Sequence, residues 1–139
     1  MPPDPSPYID WLENLTRDSV GDLPRFTADR VRFVDPFQDV TGQERMRAVF
    51  AAIFDHCRQP VYRITDRAAG AEGWYLRFTF SADSRLGPLY FEGVSEIRYD
   101  AAGKIILHWD HWDAADGFYA RLPLLGGAIR WLKRRVAGG

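Results

Sequence analysis

Cysteine is nearly missing from this 139-residue chain: Cys57 stands alone, so no internal disulfide can form and the fold must rest on its core. Charge of one sign is lacking too, with a formal net charge of −1. A protein built mainly to hold nucleic acid carries a basic field over much of its surface, so that class is not expected. No apolar run approaches the roughly 20 residues of a membrane span. The opening MPPDPSPYIDWLENL has neither a basic start nor a continuous apolar stretch; no secretory signal is expected, and the cytoplasm is the default compartment. Histidine is scarce, yet two of the three, His108 and His111, fall in one stretch, KIILHWDHWD at 104–113, with two of the five tryptophans.

What is plentiful is apolar and aromatic surface, 46% hydrophobic residues and 14% aromatic, enough for one domain with a substantial core. Four prolines within the first seven residues exclude regular structure there, leaving a Pro-rich arm over 1–6. Ser6-Pro7 reads as an N-cap and first-turn proline, followed by an apolar stripe at Tyr8, Trp11, Leu12 and Leu15. A weaker helical piece runs to Pro24. VRFV at 31–34 is a short strand stopped by Asp35-Pro36. Thr41-Gly42-Gln43-Glu44 has the form of a capping box opening a helix whose face is Met46, Val49, Phe50, Ile53, Phe54 and Cys57. Strands are expected near 61–68, 74–81 and 89–99, each with a core face and a wetter face. Trp74, Leu76, Phe78 and Phe80 share one face; Leu89, Phe91, Gly93, Ser95 and Ile97 share another.

On the last strand, alternation groups Ile106, His108, Asp110 and Trp112 against Ile105, Leu107, Trp109 and His111. Both sides are apolar or aromatic, which predicts a central strand or one whose second face is covered by a partner or by the C-terminal segment. Two residues of rise separate His108 from Asp110 by about 7 Å, suited to sharing a water or a substrate. His111 faces away from His108, so the cluster does not close on one metal, and no metal or cofactor is expected. A helical tail occupies 114–139, broken at Pro123 and bent at Gly126-Gly127, with Arg130, Lys133, Arg134 and Arg135 giving it a basic face.

The order is helix, helix, strand, helix and four meandering strands, in a single domain over 1–139. With VRFVDPF at 31–37, the Thr41-Gly42 step into a helix, RYDAAGKI at 98–105, and HWDHWDAAD followed by LPLLGGAIRWLKRR, the chain resembles the NTF2-like superfamily, within it the SnoaL-like and ketosteroid isomerase-like branch. The resemblance implies an α+β cone: a curved, mostly antiparallel sheet wrapped around the N-terminal helices and a long third helix, with a C-terminal helical extension. It puts Asp35 where the isomerases keep their carboxylate base, and aims His108, Asp110 and Trp112 into the cavity. Trp11 falls where their oxyanion-hole tyrosine would be, and Ser95 where their protonated aspartate would be. An indole and a serine are different donors from these, which argues against that particular isomerase chemistry.

The candidate catalytic set is therefore Asp35, His108 and Asp110, with Trp11, Trp74, Phe78, Phe91, Ser95 and Trp112 contacting an apolar ligand. Cofactor-free acid/base chemistry follows from two carboxylates in a greasy pocket, where burial and mutual repulsion push their pKa values apart. Each residue also has a structural reading: Asp35 as a turn residue, His108 with Asp110 as a satisfied core pair, the aromatic rings as core. The second function class is a ligand carrier or an interaction module, paired as a homodimer through the sheet. The basic tail admits a solvated face, packing over the sheet, or contact with an anionic membrane surface.

Overall fold

The computed structural model describes residues 1–117 and 123–137. One curved, unclosed sheet of six strands runs in the order β2-β1-β6-β5-β4-β3. Its strands are β1 (Thr27–Asp35), β2 (Gln38–Thr41), β3 (Cys57–Ala69), β4 (Gly73–Ser84), β5 (Gly87–Tyr99) and β6 (Ile105–Trp112). Only the β1–β6 pairing is parallel; the rest are antiparallel. Helices α1 (Ser6–Glu13) and α2 (Gln43–His56), with a 3-10 turn over Ser19–Arg25, pack on the inner face. Leu23, Val31, Met46, Leu76 and Ile97 are fully buried between these layers. The architecture is the α+β cone that the residue order implied.

Local chemistry departs from expectation at both helix starts. Ser6 is the first residue of α1 rather than its cap, because Asp4 Oδ1 accepts its backbone N–H at 3.0 Å and its hydroxyl at 2.8 Å. At α2 the capping box does not form. Thr41 is held in β2 opposite Arg32, and Glu44 turns to Arg47 at 2.6 Å. Gly42 takes the cap position at φ 108°, a backbone region glycine adopts without a Cβ clash.

Strand β2 is an addition to the five expected. Its four residues are too short and too polar to show a period. They pair because Asp35 closes the β1–β2 turn, its Oδ1 accepting N–H groups of Phe37 (2.8 Å) and Gln38 (3.0 Å). In the central strand β6, Tyr99 pairs with Ile105 and Arg98 with Leu107, so Ile106 is an extra, bulged residue. The parity of the strand flips there: Ile105 and His108 are both 1% exposed, whereas Ile106, grouped with His108 by simple alternation, is 40% exposed. After Asp113 come α3 (Ala114–Gly117) and α4 (Pro123–Val136). Pro123 is the first described residue of α4, the expected break before it falls outside the described residues, and the Gly126-Gly127 bend is absent because both glycines lie inside α4. The expected helix through Tyr119 falls partly outside the described residues.

Candidate active site

The sheet's inner face, the start of β3 and the C-terminal half of α2 enclose a cavity of about 420 Å³. Its walls are mostly rings. Trp112 stacks on Phe91 with centroids 3.9 Å apart, Phe91 on Phe80 at 4.9 Å, and Phe37 meets Trp112 edge-on at 5.4 Å. Phe78 stacks on Tyr62 at 5.1 Å. This wall needs Gly93: it lies opposite Trp112, and a Cβ there would stand 2.3 Å from the His111 carbonyl and 2.9 Å from the rings' carbon atoms at Phe78 and from Trp112 Cβ.

Asp35, His108 and Asp110 all line this hollow, from the end of β1 and from β6. The separation inferred from backbone rise does not hold, because the two side chains lean toward each other along the strand: His108 Nε2 and Asp110 Oδ1 are 2.7 Å apart. Behind the imidazole, Tyr8 Oη is 2.7 Å from Nδ1. Ser95 donates its hydroxyl to Asp110 Oδ1 at 2.5 Å, and Tyr62 Oη is 2.8 Å from Ser95 Oγ. Burial pushes the Tyr8 phenol far above its ordinary pKa, helped by the charge of Asp110; burial and Asp110 do the same to Tyr62. Both phenols therefore keep their protons, and Tyr62 donates to Ser95, whose own hydroxyl hydrogen goes to Asp110. His108 Nε2–H faces the Asp110 carboxylate, and Nδ1 meets the Tyr8 hydroxyl. Two hydrogen-bond chains, Tyr8 to His108 and Tyr62 to Ser95, converge on one oxygen of Asp110. Among the described residues no hydrogen bond reaches its other oxygen, Oδ2.

Asp35 sits differently. Its carboxyl is raised above the ordinary range by burial, with the charge of Asp110 adding to the rise; the donors Gln38 and Phe37 work against it. Gln38 Nε2 is 3.0 Å from Asp35 Oδ2. The cavity's ionisable lining is Glu13, Asp35, His56, Cys57, Tyr62, His108 and Asp110, and among the described residues no lysine or arginine belongs to it. No cluster of three or more metal-ligating side chains occurs among the described residues.

Phe78, Phe91 and Trp112 line the cavity, but three of the expected ligand contacts do not. Trp11 packs in the core against Tyr8 and Phe50, its indole donating to the Ser19 carbonyl at 2.8 Å. Trp74 lies toward the far end of β4, where its indole holds the Pro3 carbonyl at 2.7 Å and so pins the N-terminal arm. Ser95 is fully buried behind Asp110. Sequence reasoning missed Tyr62 altogether and read Tyr8 only as core; nothing local marks a phenol as the partner of a histidine 100 positions away. Cys57, read as part of the helix's apolar face, belongs to the cavity wall, and so does the exposed His56.

The SnoaL-like domain family matches residues 8–108, which carry the first helix, the cone and the buried histidine. The chain belongs to that family. Among solved structures, this SnoaL-like protein is similar to a protein of ketosteroid isomerase-like fold from Catenulispora acidiphila, in complex with trimethylamine (15% identity, 88% of this chain and 96% of that one, TM-score 0.71). It is similar also to a LEH-like epoxide hydrolase of M. tuberculosis (18% identity, 95% and 91% covered, TM-score 0.63). A third likeness is to a putative SnoaL-like polyketide cyclase from Jannaschia (13% identity, 74% and 76% covered, TM-score 0.61). At these identities the likeness is one of fold. A search of curated proteins finds no match.

Proposed function

We propose that this SnoaL-like protein is a small enzyme that performs cofactor-free general acid/base chemistry on an apolar small molecule held in the cone. The observation that carries the reading is the asymmetry of Asp110: Oδ1 accepts from His108 and Ser95, while Oδ2 is left for a ligand in a cavity walled by aromatic rings. A carboxylate fixed by donors on one oxygen is positioned to take a proton with the other. Asp35, raised by burial and by Asp110, holds its proton to higher pH than an ordinary carboxyl and serves as the acid partner. Proton abstraction beside a carbonyl, cyclisation, dehydration and epoxide opening all use such a pair. The epoxide hydrolase and putative cyclase among similar folds are consistent with that range. The reading places neutral or cationic molecules in the cavity and disfavours anions, since among the described residues its lining supplies carboxylates and imidazoles and no lysine or arginine.

The test uses 2-tetralone, a neutral bicyclic ketone, titrated calorimetrically in two buffers of different ionisation enthalpy. Binding is expected to be accompanied by proton exchange that changes in Asp35→Asn and in Asp110→Asn, with both variants folded. Variants that exchange protons as the parent does, or that both unfold, refute the assigned roles and leave a carrier or a packed core.

We also propose a homodimer through the sheet's outer face. Tyr75, Val94 and Tyr90 project from adjacent strands there, with 45%, 37% and 50% of their surface exposed. Val94→Asp is expected to convert a dimer to a monomer in sedimentation velocity; an unchanged sedimentation coefficient contradicts the pairing.

A further inference from the structure

Helix α4 leaves Trp131, Leu132 and Val136 exposed in its C-terminal half. Gly126 and Lys133, seven residues apart and so on one face, turn toward the body: Gly126 is buried, and Lys133 Nζ lies 3.3 Å from Asp116 Oδ1 and 3.9 Å from Asp113 Oδ2. Leu132 and Val136, one turn apart, lie on the flank next to Lys133, with Trp131 on the face away from Gly126, and these three are 55%, 79% and 55% exposed in the order Leu132, Val136, Trp131. A helix folded for stability alone buries its apolar stripe and leaves its lysine in water. Here an ion pair anchors the helix and the stripe is left without cover among the described residues.

Charge identifies the cover. Arg134 and Arg135 lie beside these side chains in a chain whose net charge is −1, and the Arg135 guanidinium lies 5.4 Å from the Trp131 ring centre. An amphipathic helix with basic flanks and a tryptophan at its margin gains affinity twice at an anionic bilayer, from apolar burial in the acyl boundary and from attraction to lipid phosphate. A second copy of the chain would have to neutralise the same arginines while covering the stripe. We propose that α4 seats Trp131, Leu132 and Val136 in the headgroup layer of an anionic membrane, with its arginines against lipid phosphates. This docking is independent of the cavity chemistry.

The full chain is tested by co-sedimentation with vesicles of phosphatidylcholine alone and of phosphatidylcholine mixed equally with phosphatidylglycerol. Pelleting is expected with the mixed vesicles at low salt, and its loss with phosphatidylcholine alone and at high salt. Arg134→Gln with Arg135→Gln should weaken binding about thirtyfold, following the typical gain per basic residue at an anionic surface. Trp131→Ser with Leu132→Ser should abolish pelleting at unchanged charge. The proposal is overturned if anionic vesicles do not retain the protein or if binding survives the two serines. It is overturned equally if those serines instead abolish a self-association seen without vesicles.

Discussion

Removing one oxygen from Tyr8 isolates the hydrogen-bond chain behind His108. In Tyr8→Phe the imidazole, 1% exposed, keeps Asp110 on one nitrogen and loses its partner on the other, and water cannot replace it. A buried group left unsatisfied costs about 1–3 kcal/mol, so the urea midpoint should fall accordingly. An unchanged midpoint contradicts the bond. Asp35 has the opposite sign. Its folded pKa is raised, by burial first, above the unfolded value. The folded state therefore binds its proton more tightly, and stability declines as pH rises from the unfolded carboxylate range through the folded pKa. Asparagine carries no such dependence and can still accept the Phe37 and Gln38 N–H groups. Asp35→Asn should gain on the parent as pH climbs through that interval and match it in acid; a gap that widens toward acid refutes the burial account.

Among elements, β6 joins fold to site. It lies between β1 and β5, so its inner face meets the helices while its C-terminal part, from His108 to Trp112, reaches the cavity. Gly93→Ala would press a methyl group against the His111 carbonyl across the β5–β6 ladder and displace the Trp112 stack. Overpacking of this kind costs about 1–3 kcal/mol. The melting temperature should drop and ring-current-shifted Trp112 resonances should move; a variant that melts like the parent contradicts the close approach. The same strand shows where sequence reading works and where it stops. Its apolar character on both sides marked it as central or covered on its second face, and its central place is what the sheet order displays. Its inner face was assigned correctly from His108 onward, yet wrongly at Ile106, because a bulge depends on pairing with Tyr99 and Arg98 and leaves no period of its own. Helix stripes were similarly legible, whereas both caps were not: Asp4 outcompeted Ser6, and a strand held Thr41.

At the scale of the whole molecule, the α+β cone followed from element order and from motifs whose spacing resembled the SnoaL-like branch, and the domain match agrees. Asp35, His108 and Asp110 were picked out by the resemblance together with their residue chemistry, and all three line one cavity; Tyr8 and Tyr62 were hidden because only the folded chain brings them to that pair. Trp11 and Trp74 show the reverse error, large rings whose indole N–H groups serve the backbone rather than a ligand. The cavity's charge yields a further expectation. Among bicyclic probes of one size, an amine should bind more tightly than its carboxylic acid analogue at neutral pH, as competition calorimetry will read; a tighter acid contradicts the electrostatics. The most direct test of the central claim, that two carboxylates share one hollow, is the carbon-13 NMR titration of the Asp35 carboxyl in the parent and in Asp110→Asn. The account predicts a parent value above the ordinary carboxylate range that falls when the Asp110 charge is removed; a titration unmoved by that substitution would contradict it.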